Sequence, residues 1–136
     1  MILKTAILTF ILGSFSVWSP AGDISPEIAA KLIKIIAVSA GGKVSCRDAT
    51  MKTALEGVGV TVDGDSKIVW ATNPVEIKML KMQNRLVITG NKSFLASGAA
   101  IALVEDGGKP KIYLNQSAIA ASGIALSDAI YKVGQM

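Results

Sequence analysis

The chain has 136 residues, and with 51% of them apolar it can build one ordinary core without staples. Its 14 Lys and Arg against 10 Asp and Glu leave a net charge of +4, spread too thinly to mark a nucleic-acid or anionic-membrane partner. Histidine is absent and Cys46 is the only cysteine, which removes the commonest general base and almost every zinc or haem ligand set.

The first residues read as an export signal. Lys4 supplies a minimal positive start, Thr5 to Val17 an apolar run of 13 residues, and Ser19 and Ala21 the small residues before a cut after Ala21. The run is interrupted by Gly13, Ser14 and Ser16 and is shorter than the ~20 apolar residues a spanning helix needs. Residues 1–21 are therefore expected to be a cleaved signal peptide and residues 22–136 the mature domain. Cleavage leaves 115 residues, with thirteen cations against ten carboxylates, a net charge of +3.

Ser25-Pro26-Glu27 is a helix start, with a capping hydroxyl, proline at the first helical position and a carboxylate at the positive dipole end. Ile28, Leu32, Ile35 and Ile36 mark its expected apolar face, Lys31 and Lys34 its solvated one, and Gly41-Gly42 its end. Val44 to Cys46 is a short strand, with Cys46 either buried or open to an intermolecular bridge, since an exported chain with one cysteine has no internal disulfide. Asp48 caps a helix over Ala49 to Glu56, with Met51, Leu55 and Val58 turned inward. Asp63-Gly64-Asp65-Ser66 is a turn. Lys67 to Ala71 is a strand in which Trp70 is more naturally core than ligand platform.

Asn73-Pro74 starts a further helix through Val75, Ile77, Met79 and Leu80, and Arg85 to Thr89 is a strand closed by Gly90. Asn91 to Ser97 is a loop or single helical turn with Phe94 and Leu95 inward. Ala99 to Val104 and Lys111 to Leu114 flank Glu105-Asp106-Gly107-Gly108, which predicts a β-hairpin because glycine reaches positive φ without penalty. Asn115, a small-residue stretch to Gly123, and a short amphipathic segment from Ser127 close the chain, with Leu126, Ile130 and Val133 on the core. Strands alternating with helices predict right-handed βαβ units. The expected fold is a single three-layer α/β domain whose mixed sheet is parallel at its centre and carries a C-terminal antiparallel hairpin.

Catalytic apparatus is thin. The carboxylate pairs Asp63/Asp65 and Glu105/Asp106 lie in solvated turns, where neither pKa would be raised for acid–base work. Gly41-Gly42-Lys43-Val44 lacks the hydroxyl residue and the leading glycine of a phosphate loop, and Gly57-Val58-Gly59 follows a helix instead of opening one. No metal or cofactor site is expected. A small ligand would use the carboxyl ends of the parallel strands, where Thr72, Asn73 and Gly90 fall, with helix-start amides at Asn73 able to meet an anion. Asn115 is a further binding candidate, against a capping role.

Leu86-Val87-Ile88-Thr89-Gly90 with Phe94, Gly98 before an apolar strand, Ile112-Tyr113-Leu114-Asn115, and Ala120 to Ser127 before a terminal helix together carry a resemblance to the YfiR/HmsC family of bacterial periplasmic proteins. It covers residues 85–133 by motif and 25–80 by topology. The chain keeps only Cys46 where the family's better-known members form disulfides. The resemblance implies a periplasmic, non-enzymatic regulator that binds the periplasmic portion of a membrane-bound sensor or diguanylate cyclase and so lowers cyclic-di-GMP signalling and biofilm matrix. It also leaves room for a homodimer.

Overall fold

Local chemistry places most elements where the residues predict them. The computed structural model describes residues 24–38, 41–126 and 128–135, so the expected signal peptide and the Ser127 start lie outside the described residues. Helix α1, Pro26–Ala37, begins on Ser25, whose side chain accepts from Ile28 N at 3.4 Å. Strand β1, Lys43–Cys46, leads to α2, Ala49–Gly57, where Asp48 Oδ1 accepts from Thr50 N and Met51 N. Then come β2, Thr61–Val62, β3, Ile68–Trp70, and α3, Pro74–Met82. Strand β4, Leu86–Thr89, is followed by a 3-10 turn, Lys92–Ser97, and the hairpin β5, Ile101–Asp106, and β6, Lys109–Leu114. Helices α4, Gln116–Ser122, and α5, Asp128–Val133, and strand β7, Gly134–Gln135, complete the order.

The strands form one seven-stranded sheet in the order β2-β1-β3-β4-β5-β6-β7. Strands β2 to β5 run parallel with β1, and β6 is antiparallel to β5. This is the expected α/β fold with a parallel centre and a C-terminal hairpin. Asp106 pairs with Lys109 across a two-residue turn in which Gly107 and Gly108 have φ of 65° and 81°. That mirror-image turn matches the strand twist and requires positive φ at both positions.

Two helical layers sandwich the sheet. Strand alternation sends Ile68, Leu86, Ile88 and Leu103 to one face, into a core with Ile33 and Ile36 of α1 and Leu55 of α2. Val69 and Val87 point to the other face, under Ile77 and Leu80 of α3 and Phe94 and Leu95 of the 3-10 turn. Ile119 of α4 and Ile130 of α5 join the first core.

The structure corrects four expectations. The buried stripe of α1 is Ala29, Ala30, Ile33, Ile36 and Ala37, while Ile35 is exposed. Alanines let α1 approach α2 closely, so the helix turns its small residues inward. Val133 of α5, expected on the core, is exposed, and so are Val75 and Met79 of α3. The small-residue stretch after Asn115 is a helix, consistent with alanine's high propensity, and it buries Ala118, Ile119 and Ser122. Strands β2 and β7, of two residues each, are additions that carry no period to read.

The link from β2 to β3 is only five residues long, yet it carries the chain from one side of β1 to the other. Buried Ser66 makes this crossing: its hydroxyl donates to Lys43 O at 2.7 Å and accepts from Ile68 N at 3.2 Å. Arg85, at the start of β4, donates from Nη2 to Gly64 O at 2.9 Å and to Ser66 O at 2.6 Å. One guanidinium thereby satisfies carbonyls that a helical crossover would have paired internally.

Candidate functional site

In an open parallel sheet, a crevice forms where chains leaving neighbouring strands turn to opposite faces. Here β1 leads to α2 on one face and β3 leads to α3 on the other. From Arg47 and Asn73, just past the carboxyl ends of β1 and β3, a groove of about 520 Å³ runs along α3 to Gln83 and to Arg85 before β4, and Val75, Glu76, Met79 and Leu80 line it between. Arg47 Nη1 lies 3.3 Å from Glu76 Oε2 across it.

Three of the four residues singled out from sequence share this edge. The pairing of Trp70 with Ile88 puts Thr72 and Gly90 two residues beyond a matched pair, with Asn73 next to Thr72. Asn73 Oδ1 accepts from Val75 N at 2.8 Å and Glu76 N at 3.2 Å, so these two helix-start donors face their own cap. Gly90 lies against the indole: a Cβ there would meet Trp70 Cη2 at 3.2 Å. Trp70 is in the core, as expected.

Asn115 sits at the opposite edge, beyond the pair Ile101–Leu114. Its Oδ1 accepts from Ala118 N at 3.3 Å and Ser117 Oγ at 3.0 Å, while Nδ2 donates to Leu95 O and Ala99 O. It caps α4 and ties the 3-10 turn to the hairpin. Among the described residues the buried polar atoms without a hydrogen-bond partner are Trp70 Nε1 and Thr89 Oγ1. Thr89 alternates with Ile88, so these two atoms point to opposite faces and do not build one site.

Cys46 is half-buried at the end of β1, with Sγ 3.4 Å from Asp48 O. Burial pushes its thiol pKa up, and the Asp48 carboxylate adds to this. The backbone hydrogen bond and Lys52 oppose it. A thiol kept protonated is a poor nucleophile. Iodoacetamide is expected to modify Cys46 roughly tenfold more slowly in the native protein than in urea at the same pH, as read by mass spectrometry. Above about pH 8.5 the unfolded chain releases a proton that the native state still holds, so stability falls as pH rises through that window. Cys46→Ser should remove that part of the slope; equal alkylation rates in both states would contradict the burial argument.

The most unusual surface feature is on α3. Val75, Met79 and Met82 are 68%, 55% and 81% exposed, and their i, i+4, i+7 spacing puts them on one face. Ile77 and Leu80 point roughly the opposite way, at about 100° per residue, and fill the core. The helix is thus apolar on two sides, of which the sheet covers one. Sequence spacing held this signal: five apolar residues in nine make two stripes, whereas a half-buried helix needs one. A second groove of about 520 Å³ runs along the other flank of α3, bordered by Lys78, Lys81, Met82 and Leu95. Lys81 lays its aliphatic stem over Gly98, where a Cβ would come within 2.7 Å of Lys81 Cδ.

No protein-family model matches the chain, and comparison with curated proteins finds none similar to it.

Proposed function

We propose that the chain is a non-enzymatic binding and regulatory protein of the periplasm that docks on the periplasmic portion of a membrane-bound sensor. The exposed Val75–Met79–Met82 stripe on α3 carries this reading. Three large apolar side chains side by side on a helix that buries only Ile77 and Leu80 stand in water at a cost that a partner would relieve. Methionine suits such a surface, since its unbranched, polarisable chain adapts to a partner. The export signal read in the sequence supports the compartment, and the resemblance to the YfiR/HmsC family supports a diguanylate cyclase as the partner's class. A chain without histidine and with one cysteine offers little for catalysis.

Deleting the gene in its native host should raise cyclic-di-GMP and biofilm matrix, and restoring the protein should lower both. Unchanged levels in the deletion strain would remove the cyclase version of this reading.

The groove that runs from Arg47 and Asn73 along α3 supports a second reading, a small anionic ligand held by Arg47 near Asn73. A thermal-shift screen with anionic metabolites tests it. A rise in melting temperature that is lost in Arg47→Ala supports it, and a flat screen counts against it.

A further inference from the structure

We infer that the outer face of α3 docks an acidic, amphipathic segment of a protein partner; this rests on reading the chain as a docking protein and names the chemistry of what docks. The argument is charge complementarity around the apolar stripe. The residues lining the two grooves that flank α3 include four cations, Arg47, Lys78, Lys81 and Arg85, and one carboxylate, Glu76. That carboxylate is already paired with Arg47. Among the described residues no carboxylate lies within ion-pair distance of Lys78 or Lys81. The pattern is an apolar strip with cations beside it, and its complement is an apolar strip with carboxylates beside it. A helix laid along α3 would set aliphatic side chains on Val75, Met79 and Met82, and acidic residues over the flanking grooves.

Two other occupants fit less well. A second copy meeting this face would set the same cations against one another, and like charges opposed across an interface are costly. A lipid surface is usually gripped by aromatic and leucine side chains inserted at headgroup level, and α3 presents valine and methionine with no aromatic residue. Protein docking at such a patch draws its contact from the apolar centre and its selectivity and encounter rate from the rim charges.

The test uses the full mature chain and defined probes. One is a fluorescent helical peptide with leucines at i, i+4 and i+7 among glutamates. A second peptide replaces those glutamates with lysines, and the third probe is vesicles of anionic phospholipid. The acidic peptide should bind, bind more weakly as salt is raised, and lose roughly tenfold or more in affinity with Lys78→Glu/Lys81→Glu. Val75→Glu/Met79→Glu should abolish binding. These side chains are exposed, so circular dichroism and melting should remain those of the parent; a variant that unfolds is replaced by Met79→Gln, which leaves the same expectation of weakened binding. Equal binding of both peptides, or binding only to vesicles, would overturn the acidic-partner inference. A membrane-protein crosslink from position 79 that persists in Lys78→Glu/Lys81→Glu would overturn the charge argument and leave docking standing. Absence of any crosslink from position 79 with Lys78 and Lys81 intact would remove docking itself.

Discussion

Replacing Ile88 with alanine should destabilise the protein by about 2–5 kcal/mol, among the largest losses that truncating one side chain of this fold can cause. Ile88 lies on β4, between β3 and β5, and is fully buried in the larger core. Sheet neighbours on both sides hold the backbone, so the walls of the new cavity have little freedom to close. The cost therefore includes both the lost transfer free energy and an unfilled void. Urea denaturation of residues 22–136 should show a lower midpoint with the same slope. A loss under about 1 kcal/mol would mean that the two faces of β4 are not packed as described.

Asn115 carries the second large effect, for a polar reason. Its oxygen caps α4 and its amide nitrogen satisfies Leu95 O and Ala99 O. Asn115→Ala removes both services and should cost about 2–3 kcal/mol, combining a lost cap with a stranded Ala99 O, while Leu95 O keeps the Gly98 N–H. Asn115→Asp separates them. The carboxylate still caps, yet it has no N–H to offer and sets negative charge against two carbonyl oxygens. It should be nearly as destabilising as alanine. If Asp were neutral, the Nδ2 bonds would contribute nothing, and a role for Asn115 outside the fold would regain ground.

Asn115 also shows where sequence reading reaches its limit. A cap is legible from an asparagine before a helix-forming stretch, but the link from Nδ2 to Leu95 and Ala99 depends on chain brought back by the hairpin. The hairpin itself was legible in Asp106-Gly107-Gly108, but its strands run on to Asp106 and from Lys109, which takes Glu105 and Asp106 out of the expected turn and into β5. The parallel centre followed from alternating strands and helices, and helix starts at Ser25, Asp48 and Asn73 followed from cap chemistry.

Helix orientation was harder. In α1, isoleucines mark two stripes, and the buried one is chosen by the alanines beside it, through a close approach to α2 that no single-helix pattern contains. In α3 the same ambiguity hides the candidate docking face, since Val75 and Met79 look like core until the sheet has claimed Ile77 and Leu80. The crossing between β2 and β3 has no periodic signal, because Ser66 and Arg85 accomplish it by hydrogen bonds to backbone carbonyls.

The central claim, that the outer face of α3 meets a membrane protein, is tested most directly by photo-crosslinking in the native host. A photoreactive phenylalanine analogue is placed at Met79, and in a matched strain at Glu56, which is exposed on α2 across the sheet. Crosslinking to a membrane protein from position 79, and none from position 56, is the predicted result. Crosslinks from position 56 alone, or none from either, would contradict it.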